Sequence, residues 1–185
     1  MAQAITGKKK KWYKINAPEE FRNAFIGESL VSDPNTLIGK TLEISPAFLI
    51  HDPKKSNFKI KFKIKEIRGE EAFTSLMGYY LPSTYIKRAV RPGKSIVEDS
   101  FKGKTKDNLD VVAKPFLITR AIVSNSIKTS LRKRCREYLI KYLSETDYKD
   151  IMGNLLNDNL QRDLRKVLEK VYPLTICQLR VFERK

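Results

Sequence analysis

The sequence predicts an α+β protein: an antiparallel β-barrel with flanking amphipathic helices, mostly C-terminal, and a basic N-terminal tail. Three observations predict this fold class. Apolar and basic residues alternate without a break over 58–65, which is the period of a strand. Apolar residues recur at three- and four-residue spacing after Ser124, which is the period of a helix. Residues 1–11 are polar and basic and end in the run Lys8, Lys9, Lys10 and Lys11.

The alternating strand divides into an apolar face and a basic face. Phe58, Ile60, Phe62 and Ile64 share one face, which we expect to point into the core. The opposite face carries Lys59, Lys61, Lys63 and Lys65. One explanation for lysines on an edge strand is that they prevent aggregation with other strands. Four in a row on one face exceed that need, so we expect this face to contact RNA.

The remaining elements follow from turn residues and periodicity. Further strands are expected at 26–31, 40–45, 72–81, 96–101, 109–122 and 174–182, with short helical segments at 47–50 and 84–90. The parity of apolar residues changes at Lys65-Glu66, which indicates a bulge or the end of pairing. Strands 96–101 and 109–122 should form a hairpin, and Pro115 argues for an edge position or a bulge in its second arm. The loop of that hairpin, 102–108, should present Lys102, Lys104 and Lys106 at a basic tip.

Three helices are expected after Ser124, at 126–143, 144–156 and from Asn157 or Asp158 to Pro173. The first is the most basic and carries Lys128, Arg132, Lys133, Arg134 and Arg136. Cations on a solvated helix face are common. The density of arginine nevertheless favours phosphate contact, because the guanidinium group binds phosphate through two parallel hydrogen bonds.

Length and charge limit the possible classes of protein. The chain has 185 residues, and 37 Lys and Arg against 21 Asp and Glu give a net charge of +16. We expect one folded domain over 12–185, preceded by a tail that is disordered alone. A charge this large points to nucleic acid, with an anionic membrane surface as the second option. No run approaches the roughly 18 apolar residues of a membrane span, so no membrane-spanning segment is expected. Nucleic acid is preferred to a membrane surface, and the expected partners include no membrane.

Neither catalysis nor a cofactor is expected. The triplets that begin at Gly39, Gly93 and Gly103 lack the second glycine of a phosphate-binding loop and are interpreted as turns. His51 is the only histidine and lies in a predicted loop. Glu98 and Asp99, with Glu43 and Glu66, have no spacing that favours Mg²⁺ over solvated charge. Cys135 and Cys177 are interpreted as reduced apolar side chains of a cytosolic protein.

The aromatic pair beside the tail leaves two interpretations open. Trp12 and Tyr13 directly follow the lysine run. They either stack on nucleic-acid bases or fix the tail to the core. Trp12 is therefore included with the basic residues as a candidate RNA contact.

The order of short motifs along the chain resembles the three-A-e family of archaeal and eukaryotic small-subunit ribosomal proteins, also named the eukaryote-type protein one. The matching segments are Lys10-Lys11-Trp12-Tyr13 with Ala17-Pro18 and Phe21, Ile26-Gly27 before Ser29-Leu30-Val31, Gly39-Lys40 with Glu43-Ile44-Ser45, Phe58-Lys59-Ile60 with Glu66 and Gly78, the Lys/Arg-rich helix, and Leu164 through Val171-Tyr172-Pro173-Leu174. The likeness spans residues 10–183. The short basic N-terminus and the few residues after Phe182 resemble archaeal members.

The resemblance implies a β-barrel with flanking helices and no enzymatic role. It also implies a cytoplasmic, ribosomal location on the platform of the small subunit, near the mRNA exit. The implied partners are the small-subunit rRNA, neighbouring platform proteins and mRNA near the exit. The alternative is a free-standing RNA-binding barrel that acts outside the ribosome. A module that stacks single strands would mix aromatic and basic residues on one face, whereas Phe58 and Phe62 point away from the lysines.

Overall fold

A computed structural model describes residues 9–50 and 52–184. Its strands are β1 Lys11–Asn16, β2 Phe25–Val31, β3 Thr41–Ile44, β4 Lys59–Arg68, β5 Glu71–Tyr80, β6 Ile96–Glu98, β7 Phe101–Lys104, β8 Asp110–Thr119 and β9 Leu174–Arg184. Its α-helices are α1 Pro46–Ile50, α2 Ser83–Ala89, α3 Asn125–Glu145, α4 Tyr148–Leu156 and α5 Asn159–Glu169. The three C-terminal helices and most strands lie within a few residues of their predicted positions, and β1 was not predicted.

The strands form one mixed sheet rather than an antiparallel barrel. The described residues give nine strands with the order β2-β1-β5-β9-β8-β6, while β3 pairs with β4, β4 with β5, and β7 with β8. The ladder between β1 and β5 is parallel. In the described chain this sheet is not closed, so the α+β class is confirmed and the expected barrel is not found. Alternation along a strand is the same in open and closed sheets, so it could not have decided closure.

Contacts divide the described residues into two compact units, and β5 contributes to both. The first unit comprises the residues through Ser56 together with Ile60–Met77. Its core contains the buried side chains of Tyr13, Ile15, Leu37, Ile64 and Ala72, with Ile26, Val31, Leu42 and Ile67 packed against them. The position of Ile67 agrees with the predicted change of parity after Ile64. The unpredicted strand β1 is central here, because it pairs with both β2 and β5.

The second unit comprises Asn57–Lys59 and the described part of Gly78–Lys185. Its helices bury apolar stripes of the predicted helical period: α3 buries Leu131, Cys135, Leu139 and Leu143, and α5 buries Leu160, Leu164 and Leu168. Three further residues of the expected stripe of α3, Ile127, Tyr138 and Tyr142, are half-buried. Gly78 lies where β5 meets β9, and a Cβ atom there would sit 2.6 Å from the carbonyl oxygen of Phe182. Only glycine permits this close approach of the two backbones.

The predicted hairpin is more complex than its sequence suggests. Its first arm is split into β6 and β7, and both pair with β8 in one register, because Glu98 lies opposite Phe116 and Phe101 opposite Ala113. The interruption faces Pro115, which has no N–H to donate to the ladder. A bulge shifts the β8–β9 register between Lys114 and Pro115, as predicted. Since β8 lies between β9 and β6, its position is internal and the alternative edge position is wrong.

Both cysteines are buried and unbonded, as predicted. Burial raises the pKa of the Cys135 thiol to about 12, and the nearby charge of Asp99 acts in the same direction. Burial also raises the pKa of Cys177. Both side chains therefore stay protonated at neutral pH and behave as small apolar groups.

Candidate nucleic-acid interface

The apolar and basic faces of β4 are separated as the sequence predicts. Phe58, Ile60, Phe62 and Ile64 are all buried, with exposed fractions between 0% and 4%. The lysines alternate with them on the other face, and Lys63 and Lys65 are exposed while Lys59 and Lys61 are half-buried. The predicted inward and outward assignment is therefore confirmed.

The lysine row is not uniform, because β3 brings an acidic residue to one end of it. Glu43 lies directly opposite Lys61 in the β3–β4 ladder, and Thr41 lies opposite Lys63. Residues directly opposite each other in an antiparallel pair share a face, so Glu43 offsets part of the charge at Lys61. Lys65 and the side chain of Lys63 make no hydrogen bond or ion pair with the described residues. The unbalanced charge of the lysine row is thus concentrated at Lys63 and Lys65.

On helix α3, Arg136 is held by a carboxylate of the same unit. Its Nε and Nη2 atoms donate to Asp99 Oδ2 and Oδ1 at 3.0 and 2.8 Å, and its guanidinium group lies 5.8 Å from the centre of the Phe101 ring. Desolvation alone would raise the pKa of Asp99, but the hydrogen bonds from Arg136 and from the Ser100 N–H outweigh it and lower that pKa. Arg136 therefore has a structural partner already.

Arg132 is bound at the same place, one helical turn earlier. Its Nε donates to the carbonyl oxygen of Glu98 at 3.2 Å. Glu98 is the last residue of β6, and Asp99 lies at the interruption between β6 and β7. The Asp99 N–H donates a long hydrogen bond of 3.5 Å to the Pro115 carbonyl oxygen. The two arginines thus attach α3 to the point where the sheet is interrupted.

The next two residues of α3 are placed differently. Lys133 and Arg134 are exposed, and neither side chain makes a hydrogen bond or ion pair within the part of the chain that the structure describes. Lys128, predicted on the same basic face, is half-buried. One turn of α3 therefore presents two cations bound to the protein and two cations available to an outside anion.

Most residues of the loop expected to form a basic tip lie on a strand or contact helix α4 and the residue before it. Lys102 and Lys104 lie on strand β7, where both are exposed. Lys106 Nζ lies 3.9 Å from Asp147 Oδ1. Asp107 Oδ2 accepts a hydrogen bond of 3.0 Å from the Tyr148 N–H, the first residue of α4. The turn between β7 and β8 therefore caps α4, a role that the sequence did not reveal because 41 positions separate the partners.

The N-terminal candidates lie on or beside β1. Lys9 and Lys10 are exposed, Lys11 begins the strand, and Lys8 lies outside the described residues. Trp12 is 60% exposed, so its ring is not buried in the core. Tyr13, next to it, is buried in the core of the first unit. Of the two interpretations of this aromatic pair, fixing to the core applies to Tyr13 and not to Trp12.

The described residues lack two further features, a cluster of metal-binding side chains and a membrane-spanning helix. They contain no group of three or more His, Cys, Asp or Glu side chains that could hold a metal ion. His51, the only histidine, lies outside them. No helix in the described ranges has the length and apolarity that crossing a bilayer requires.

Comparison with known proteins identifies the family. The model of the ribosomal S3Ae family matches residues 6–183. The chain belongs to this family. Among similar curated proteins, the small ribosomal subunit protein eS1 of Nanoarchaeum equitans is 31% identical over 95% of this chain and 88% of the relative. The protein of the same name from Methanothrix thermoacetophila is 31% identical over 98% of this chain and 86% of the relative.

A third relative of the S3Ae family supports the same assignment. The eS1 protein of Pyrobaculum arsenaticum is 32% identical, with 89% of this chain and 75% of the relative covered. The resemblance found from short motifs is thereby confirmed over nearly the whole chain. Membership of a ribosomal protein family gives the chain a structural role in the cytoplasmic ribosome and not an enzymatic one.

Proposed function

We propose that this S3Ae-family protein is a structural constituent of the small ribosomal subunit that binds rRNA through phosphate contacts. The observation that carries the proposal is the set of exposed cations without internal partners on a chain of net charge +16. Within the described residues this set includes the side chains of Lys63 and Lys65 on β4 and of Lys133 and Arg134 on α3. Unpaired cations on ordered elements suit a polyanion that approaches a fixed surface.

The finer placement of the protein is also part of the proposal. We place it on the platform of the small subunit near the mRNA exit, with neighbouring platform proteins and mRNA as further partners. This placement follows from the family resemblance. The tail of residues 1–11 was expected to be disordered alone, but Lys11 pairs with Val31 as the first residue of β1. The residues before Lys11 would acquire order against rRNA or a neighbouring protein, because they have few apolar side chains to bury on their own. The proposal retains one folded domain that follows this tail.

Co-sedimentation tests the proposal directly. The tagged full-length protein is mixed with purified archaeal ribosomal subunits. The small subunits have been depleted of their own S3Ae-family protein, and large subunits serve as the control. The mixture is separated on sucrose gradients at several salt concentrations. We expect it to sediment with small subunits and to remain there in moderate salt. Recovery in free fractions, or equal recovery with large subunits, would favour the alternative of an RNA-binding protein that acts outside the ribosome.

Chemical probing of the rRNA in the recovered subunits tests the placement separately. Protection that appears only when the protein is bound would locate its contacts. Protection confined to regions remote from the 3′ end of the small-subunit rRNA would contradict the platform assignment while leaving the small-subunit role intact.

A further inference from the structure

The outer face of β1 carries an aromatic side chain that the core does not use. Within β1 the side chains alternate, so that Tyr13 and Ile15 are buried while Trp12 and Lys14 are exposed. Trp12 is the single tryptophan of the chain and is 60% exposed. Leaving so large an apolar surface in water forgoes the stabilisation that burial of the ring would provide.

The neighbours of Trp12 form a small platform. Leu30 lies directly opposite Trp12 in the β1–β2 ladder and is 43% exposed, so the two side chains share the outer face. Side chains in directly opposed positions have Cβ atoms only about 5 Å apart. Leu30 can therefore support one edge of the indole ring while the face of the ring stays open.

Lysines flank this platform along the strand. Lys14 follows Trp12 on the same face, and Lys10 precedes it by the same interval of two residues. Lys10 lies directly before the first residue of β1, so an extended path of roughly 3.3 Å per residue carries it about 7 Å beyond Trp12. Glu28 of β2 and Glu71 of β5 both lie opposite Lys14, so two carboxylates offset the charge at that end. Trp12 and Lys14 thus share one face of β1 with Lys10 just before the strand, an arrangement of aromatic and basic residues that the lysine face of β4 lacks.

We propose that this face binds an unpaired RNA base, which stacks on Trp12 beside Leu30, while Lys10 contacts an adjoining phosphate. The inference rests on the proposed rRNA-binding function and specifies a second mode of contact. Bases within a helix are stacked on each other and offer no free face, so the ligand is a single-stranded loop, bulge or end.

The chemistry of the patch favours RNA over an apolar segment of a neighbouring protein. Trp12 and Leu30 are its two apolar side chains, and Lys10 lies beside them without an acidic residue opposite it in the β1–β2 ladder. A peptide held by apolar burial would leave Lys10 without a use, whereas a nucleotide uses both the ring and this charge. Docking of a protein segment is the outcome that would replace the proposal.

The single tryptophan makes a direct test possible. Tryptophan emission of the full chain is recorded while single-stranded oligouridylate, single-stranded oligoadenylate or an RNA duplex of equal length is added at fixed salt. We expect both single strands to quench the emission and the duplex to bind with little quenching. Emission that stays unchanged when a single strand saturates the protein would overturn the proposal.

Variants separate stacking from charge. With labelled single-stranded RNA, Trp12→Ala should bind roughly 5- to 150-fold more weakly, the range expected for the loss of one stacked base. Trp12→Phe should retain most of the affinity, since it keeps an aromatic face. Phe48→Ala is the matched control, because Phe48 is also 60% exposed in the same unit but lies outside the β1–β2 face. Circular dichroism confirms that each variant is folded.

The failure of this inference is distinguishable from failure of the proposed function. If Trp12→Ala binds single strands as tightly as the parent, the stacking site is overturned. Retained binding of the duplex would at the same time leave the rRNA-binding function standing. If Trp12→Ala loses affinity for single and double strands alike, the stacking site is also overturned. A parent protein that binds no RNA of either kind would overturn both.

Discussion

Strand β4 and helix α3 are the two most basic elements of the chain, and they use their cations differently. The outer face of β4 carries a row of lysines. Glu43 of β3 lies opposite Lys61, but no acidic residue of β3 lies opposite Lys63 or Lys65. On α3, Arg132 and Arg136 turn toward the interrupted sheet and bind Glu98 and Asp99. Lys133 and Arg134, between them in sequence, point elsewhere.

The difference teaches that a run of positive residues does not reveal which of them face outward. The partners of Arg132 and Arg136 lie 34 and 37 positions away in sequence, so a local pattern cannot show them. Arginine suits such a structural role because its guanidinium group binds a carboxylate and a carbonyl group with defined geometry. Density of arginine on a helix is thus weaker support for phosphate binding than a cation without a partner.

The largest expected effect concerns the two faces of β4. Phe62→Ala should lower the free energy of unfolding by about 3–5 kcal/mol, because the ring is fully buried and its removal leaves a cavity. Lys63→Gln, on the next residue and the opposite face, should change it by no more than about 0.5 kcal/mol. Urea unfolding followed by circular dichroism measures both. A comparable loss in Lys63→Gln would mean that the lysine face also supports the fold.

The next effect compares the two pairs of cations on α3. Lys133→Gln with Arg134→Gln should weaken binding to a small-subunit rRNA fragment and reduce the slope of log affinity against log salt. The reduction should be about 0.9 for each phosphate that the variant no longer neutralises, with the value for duplex DNA as a guide. Stability should stay within about 0.5 kcal/mol of the parent.

The matched double variant, Arg132→Gln with Arg136→Gln, removes the same charge from the same helical turn. It should lower the midpoint of thermal unfolding, because both arginines attach α3 to the interruption between β6 and β7. Its effect on the salt slope should be the smaller of the two. The opposite ranking, with a steeper loss of RNA binding from the Arg132 and Arg136 pair, would show that phosphate competes successfully with Asp99 for Arg136.

Much of the fold followed from periodicity, and the exceptions have identifiable causes. The stripe Leu131, Cys135 and Leu139 and the alternation around Phe62 are local patterns, and both are found as predicted. Strand β1 was missed because its alternation, in which Tyr13 and Ile15 are buried, is short and begins beside the lysine run. The open sheet was missed because closure depends on which strands pair at a distance.

The candidate interface was predictable only in part. The exposed positions of Lys63, Lys65, Lys133 and Arg134 agree with the sequence-based hypothesis, and their contact with RNA stays a prediction. Lys102 and Lys104 lie on strand β7 instead of in a loop. The sequence did not decide between the two, because lysines are found both in turns and on the exposed face of a strand. The sequence-based hypothesis also included base stacking by Trp12; the exposed position of its ring agrees with that interpretation, and the stacking stays a prediction.

A smaller effect is expected where the β7–β8 turn meets helix α4. Asp107→Ala removes the acceptor of the Tyr148 N–H and should cost about 1 kcal/mol, the usual value for loss of a helix cap. Asp107→Asn keeps an oxygen acceptor and should recover most of that loss. Amide exchange at Tyr148 reports the same contact locally. Equal stability of Asp107→Ala and the parent would show that water replaces the cap without cost.

The smallest effect concerns the pH dependence that Asp99 contributes. The pKa of Asp99 is lower in the folded protein than the ordinary aspartate value of about 3.9, so the folded state binds fewer protons there than the unfolded state. Stability from this group is therefore complete above the unfolded value and is lost as the pH falls through the folded one. Asp99→Asn should be less stable than the parent at pH 6, and the difference in the free energy of unfolding should narrow below about pH 4.

Asp163→Asn is the control for charge alone, because it removes a carboxylate from an exposed pair with Lys166 at 3.0 Å. It should change stability by no more than about 0.5 kcal/mol. Urea unfolding between pH 3 and 6 measures the difference between each variant and the parent, so that other carboxylates cancel. A gap between Asp99→Asn and the parent that is independent of pH would show that Arg136 is held by the shape of the site and not by the charge of Asp99.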